Sequence, residues 1–143
     1  FADQAEAAAA FYVSLVADSR IDALFRPDPA GPALVVEFTL GGTPYMAMNG
    51  NPSPASSYMN SISVLTEDQA ETDRLWDALV AGGGEEGMCG WLQDRFGMHW
   101  QIVPRALPRL MTGGNAEAAK RVSAALMKMK KIEIAALEAA ATS

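Results

Sequence analysis

The spacing of apolar and polar residues changes several times along the chain, and each change marks an element. In "ADQAEAAAAFYVSLVADS", residues 2–19, Ala8, Phe11, Tyr12 and Leu15 recur at i, i+3, i+4 and i+7. That is the apolar stripe of a helix. Asp3 and Glu6 have capping-box spacing, with Asp in the place of the usual Ser or Thr. "RIDALF" reads as a short strand, and "RPDPAGP", with three prolines and a glycine, as a loop. "ALVVEFTLGGTPYMAMNG" carries the strongest hairpin pattern, two β-rich runs around Gly41-Gly42. Pairing about that turn puts Val36, Phe38, Tyr45 and Ala47 on one face, which Asn49 continues.

After a loop, "NGNPSPASS", the order repeats. "MNSISVLT" reads as a strand. Thr66 is expected to cap "EDQAETDRLWDALVAGGG", with Gln69 at the capping-box position. Thr72, Trp76, Leu79 and Val80 mark the buried stripe of that helix, and Gly82 to Gly84 stop it. "EGMCGWLQD" and "MHWQIVP" read as two strands around "RFG". Beyond Pro104 the pattern turns helical. Asn115 is placed to cap "AEAAKRVSAALMKMKK", with Ala119, Val122, Leu126 and Met129 along one face, and "IEIAALEAA" adds a final helix. The chain thus divides into a first module over residues 1–52, a second over 58–104 and a helical tail over 105–143. The first module has a helix and three strands but no leading strand, which is expected to lie before residue 1.

Composition changes this picture little. The chain has 143 residues, half of them hydrophobic, and a formal net charge of −6. That charge argues against a general nucleic-acid binder, because phosphate neutralisation requires clustered Lys and Arg. The one basic cluster, Lys128, Lys130 and Lys131, is expected on a solvated helix face. No apolar run reaches the length of a membrane span, and no leader pattern is visible. A single cysteine, Cys89, excludes an internal disulfide and suits a cytoplasmic protein.

Strand–helix–strands, given twice, resembles the βαβββ module that the vicinal oxygen chelate superfamily uses in pairs. That superfamily includes glyoxalases, bleomycin-resistance proteins and extradiol dioxygenases. Four pieces are similar to its PhnB-like branch, often labelled 3-demethylubiquinone-9 3-methyltransferase domains: "AEAAAAFYVSLVADSRI", "VVEFTLGGTPYMAMNG", "AGGGEEGMCGWLQDRFGMHWQIVP" and "AALMKMKKIEIAALEAA". The resemblance implies an α+β fold, a cupped, mostly antiparallel sheet around a cavity with helices outside. It also implies a homodimer.

Enzymes of that superfamily chelate a divalent metal from four strand positions. The resemblance puts Ala47, Ser61 and Gln101 at three of them and the fourth before Phe1. Alanine cannot ligate, and neutral Ser and Gln are poor partners for a hard cation. The expectation is therefore no metal and no other cofactor, with His99, two residues from Gln101, the one side chain that could restore a metal site. A Rossmann-type methyltransferase requires a Gly-rich turn between strand and helix. Here Gly82–Gly84 follow a helix and precede a strand.

The rare residues crowd into "CGWLQDRFGMHW". Cys89 could act as a nucleophile with His99 as base, but reads first as a small buried apolar residue. Alternation places His99 and Gln101 on one face and Trp100 on the other, under a helix. Glu37, a carboxylate inside a hairpin strand, calls for a partner: Arg20, Arg105 or a ligand. The reading is a small-molecule-binding protein of unassigned reaction, with no catalytic residue named. Its ligand site comprises Asn49, Ser61, Trp91, His99 and Gln101. The alternatives are a metal-dependent lyase, isomerase or dioxygenase, and the labelled quinone-ring methyltransferase.

Overall fold

A computed structural model describes residues 1–50, 60–113 and 116–142. The chain forms two compact units, Phe1–Ala55 and Ser56–Ser143. The expected loop at 51–57 and the expected helix cap Asn115 fall outside the described residues.

In the first unit, helix α1 (Ala5–Leu15) is followed by strands β1 (Arg20–Phe25), β2 (Val35–Leu40) and β3 (Thr43–Met48), paired antiparallel in the order β1-β2-β3. Gly41 and Gly42 take φ of 55° and 79°, the double left-handed turn that alanine resists and glycine adopts freely. The hairpin register pairs Val36 with Ala47 and Phe38 with Tyr45, as alternation requires. Val36, Phe38 and Leu40 face Ala5, Ala8, Ala9 and Tyr12 of α1, all buried. Small alanines let that helix lie close to the sheet.

The expected capping box does not form. Glu6 instead takes a bidentate bond from Arg26, both contacts at 2.6 Å, which ties α1 to the proline loop. The first amide of α1, Ala5 N–H, donates to the Oδ1 of Asn49 at 2.8 Å, across 44 residues of chain. The Asn49 Nδ2 donates to Ala33 O at 2.8 Å. Phe1 adds one parallel rung opposite Asn49, its N donating to Met48 O and its O accepting from Gly50 N–H. Asn49→Ala should cost the first unit about 2 kcal/mol by leaving a buried helix amide without its acceptor. Faster hydrogen exchange at Ala5 than at the interior amides of α1 would register it.

The second unit runs β4 (Ile62–Thr66), α2 (Gln69–Val80), β5 (Glu85–Glu86), β6 (Trp91–Gln93) and β7 (His99–Pro104), with sheet order β4-β7-β6-β5. Within this sheet β4 and β7 pair in parallel, so the strand–helix–three-strand module closes with its first strand beside its last. Asp68, not Thr66, caps α2, accepting Glu71 N–H at 2.8 Å. Thr66 ends β4 instead, and its hydroxyl meets that of Thr72 at 2.7 Å in the core. Leu75 rather than Val80 completes the buried stripe with Thr72, Trp76 and Leu79. These residues cover Leu92, Trp100 and Ile102.

The expected single strand over 86–94 is broken. Residues Gly87–Gly90 leave the sheet, with Cys89 at φ 60° and Gly90 at φ 84°. Cys89 N–H and Gly90 N–H donate to Met129 O and Lys130 O, both at 2.8 Å. The tail, α3 (Ala106–Thr112), α4 (Ala116–Leu126) and α5 (Ile134–Thr142), buries Val122, Ile132 and Leu137 together. Helix α4 stops at Leu126, so the lysine cluster lies on the α4–α5 connection and not on a helix face. Lys130 pairs with Glu86 at 3.0 Å and Lys131 with Asp73 at 2.8 Å.

The Lys131 ammonium, followed by the amide of Gln69, holds Asp73 below the usual carboxylate range, and Asp73 in turn raises Lys131. The lowered Asp73 contributes stability above pH 3.8 that is lost as pH falls through its folded value. The raised Lys131 contributes stability below pH 10.5 that is lost as pH rises through its folded value. A solvent-screened pair of this kind contributes about 0.5 kcal/mol. Lys131→Met should therefore lower the melting temperature slightly and evenly from pH 5 to 9. The gap to the parent should close at both extremes of pH.

Candidate functional site

Strand register in the second unit divides its sheet into two faces. Leu92, Trp100 and Ile102 lie under α2, and Trp100 is buried there. The opposite face carries Ser63, Gln101 and Trp91 in one cross-strand row, and His99 with Gln93 in the next. Ser61, immediately before β4, joins the first row, its Oγ accepting the Gln101 Nε2–H at 2.8 Å. Four of the five expected ligand residues, Ser61, Trp91, His99 and Gln101, thus share one face of one sheet. Two neighbours were missed, Ser63 and Gln93. The same alternation, counted from Gln101 and Trp91, points to both.

The fifth expected residue, Asn49, belongs to the first unit. It is buried, and its amide serves α1 and Ala33 as described.

On the central strands this face is uncharged. Its polar groups there are a hydroxyl pair, two primary amides, an indole and a buried imidazole, and on the edge strand Glu85 stands opposite Gln93 and adds a carboxylate to that row. The central set donates and accepts hydrogen bonds, and the carboxylate lies at the sheet edge. His99 has Gln93 as its cross-strand partner. Cys89 lies off the strand, partly exposed, with its Sγ 3.6 Å from both Leu126 O and Met127 Sδ. The cysteine is therefore neither a core residue nor paired across the strands with His99.

The donor set does not suit the divalent metal of the wider superfamily. Of the three positions, Ala47 has no donor atom, and Ser61 and Gln101 are neutral and bonded to each other. Among the described residues no three His, Cys, Asp or Glu side chains converge. Gly82–Gly84 form the turn from α2 into β5, with Gly84 N–H donating to Val80 O. They close a helix and do not open one, so they cannot serve as a Rossmann nucleotide loop.

The first unit holds a cavity of its own, about 550 Å³, on its sheet. Its lining includes Arg20, Asp22, Glu37, Thr39, Tyr45 and Met46. The register of β1 slips between Ile21 and Ala23, leaving Asp22 as a bulge. Asp22 then pairs with Arg20, its Oδ1 2.7 Å from the Nε, and accepts the Thr39 hydroxyl at 2.7 Å on its Oδ2. Arg20 is therefore not the partner of Glu37. No run of the sequence marks that bulge in advance.

The family model described as 3-demethylubiquinone-9 3-methyltransferase matches residues 1–103, which leaves the three tail helices outside the matched range. A solved PhnB protein from Bacillus cereus is 28% identical, with a TM-score of 0.67 over 73% of this chain and 93% of that one. A solved protein from Pseudomonas aeruginosa is 24% identical, with a TM-score of 0.59 over 73% and 91%, a likeness of fold. No curated protein matches.

Proposed function

Since the chain belongs to the PhnB-like family described as 3-demethylubiquinone-9 3-methyltransferase, we propose that it is a small-molecule-binding protein whose site is the face of the second sheet opposite α2. The observation that carries this is the Ser61–Gln101 pair beside Trp91 on that face, with His99 one row away. An indole supplies a flat apolar wall, and a few fixed amide and hydroxyl groups orient what stacks on it. Fold alone does not supply a reaction, and we assign none.

The site works without a metal, because Ser61 and Gln101 are neutral and bonded to each other. Chelation with EDTA should leave the melting temperature unchanged. A stoichiometric metal retained at Gln101 would overturn this. The methyltransferase reading rests on the family's description. It requires S-adenosylmethionine to bind, and calorimetry should show no heat of binding.

A fragment screen by ligand-observed NMR, repeated on Trp91→Ala and Gln101→Leu, checks the site itself. Hits should lose about tenfold in affinity in either variant, the loss of a stacking surface or of an orienting hydrogen bond. Hits that bind both variants as well as the parent protein would remove the site from this face.

We also place the protein in the cytoplasm as a homodimer. Support for the location is one cysteine and, among the described residues, no helix long and apolar enough to cross a membrane. Support for the dimer is the exposure of large apolar side chains, Phe25, Met48 and Met127 among them. Light scattering should give twice the chain mass.

A further inference from the structure

We propose that the cavity of the first unit binds a small zwitterion, a molecule with an ammonium and a carboxylate a few bonds apart on a short apolar chain. This goes beyond the site on the second sheet and shares no residue with it.

Asp22 has both oxygens engaged, one by Arg20 Nε and one by Thr39. The ion pair with Asp22 is closest at Nε, and the terminal N–H groups have no second acidic partner among the described residues. The Arg20 side chain is 67% exposed, so those N–H groups face the cavity mouth and not the core. A ligand carboxylate can accept from them in the planar geometry that arginine favours. Glu37 lies on the same face. Its row, with Ala23 and Met46, is next to the row of Arg20, Thr39 and Pro44. Two residues of strand separate such rows by about 7 Å. Glu37 also has no hydrogen bond or ion pair among the described residues, and it lines the same cavity.

Arg20, which already has Asp22 on its Nε side, and Glu37 face one cavity without pairing with each other. A simple anion would meet Arg20 but be repelled by Glu37, and a simple cation the reverse. A zwitterion meets both. Its apolar part has Met46, the cross-strand neighbour of Glu37, to lie against. The cavity volume suits a molecule of amino-acid size.

The probes are glycine, L-leucine, L-methionine and 4-aminobutanoate, followed by amide NMR shifts. At least one should give saturable shifts centred on residues 20–22, 37–39 and 44–46. Its N-acetylated and esterified derivatives, each with one charge removed, should bind about tenfold more weakly, the loss of one charge-assisted contact. Arg20→Gln and Glu37→Gln should each weaken the parent probe similarly. Both side chains are at the surface, so both variants should melt with the parent protein. No saturable shift from any of the four probes, or equal binding by the charge-blocked derivatives, would overturn the proposal.

Discussion

Asp94→Ala is expected to destabilise the second unit by about 3–5 kcal/mol, because one buried carboxylate satisfies three donors at once. Its Oδ1 accepts from Phe96 N–H at 2.8 Å and from Met98 N–H at 3.0 Å, which shapes the turn between β6 and β7. Its Oδ2 accepts the indole N–H of Trp100 at 2.9 Å. Truncation removes the Asp94 acceptor of that indole donor inside the core. Asp94→Asn separates the two roles. Its amide oxygen can keep the turn, but its NH2 then confronts the indole N–H, and the cost should be about 2 kcal/mol. Adding Trp100→Phe to the Asn variant removes the conflict, so the double variant should be more stable than the sum of the two single losses. All three tryptophans lie in the second unit, so intrinsic fluorescence during urea unfolding reports this unit directly. A fully additive double variant would show that the Asp94–Trp100 contact carries no energy.

Gly90→Ala should be nearly as damaging, at about 3 kcal/mol, from left-handed strain and overpacking together. Gly90 sits at φ 84°, and a Cβ there would lie 2.8 Å from Ile102 O and 2.8 Å from Ile132 Cδ1. Neither neighbour can yield easily. Ile102 O is backbone of β7, where the Ile102 N–H donates to Gly90 O, and Ile132 is part of the buried seam of the tail. The same substitution at Gly42, also at positive φ but with nothing within 4 Å of its Cβ, should cost only the backbone strain, about 1 kcal/mol. The difference between the two urea midpoints measures how tightly the 87–90 excursion is clamped between β7 and the tail. Equal losses would mean the tail yields to the added methyl.

Both predictions fall in "CGWLQDRFGMHW", where the rare residues first suggested chemistry. Alternation was enough to separate His99 and Gln101 from Trp100, because side chains on a strand must point to opposite faces. It could not show that the strand is interrupted before Trp91, which moves Cys89 away from His99 and next to the tail. That interruption depends on Met129 and Lys130 offering carbonyls to Cys89 and Gly90, about forty residues further along the chain.

Local signals in the sequence determined the element order from α1 through α2, the Gly41-Gly42 hairpin and its register, and the faces of β7, since turn chemistry and two-residue or four-residue periodicity act between near neighbours. They also determined that the metal positions of the superfamily lack charged donors, which is a matter of residue identity. Tertiary structure decided who meets those residues. Glu6 left its capping box for Arg26 and Asn49 took over the helix amide. The lysines ended on a connection that pairs with Asp73 and Glu86, and a bulge at Asp22 drew Arg20 away from Glu37. Each of these is a choice among several polar partners of similar local merit, and only the register and packing of distant segments places one of them within bonding distance.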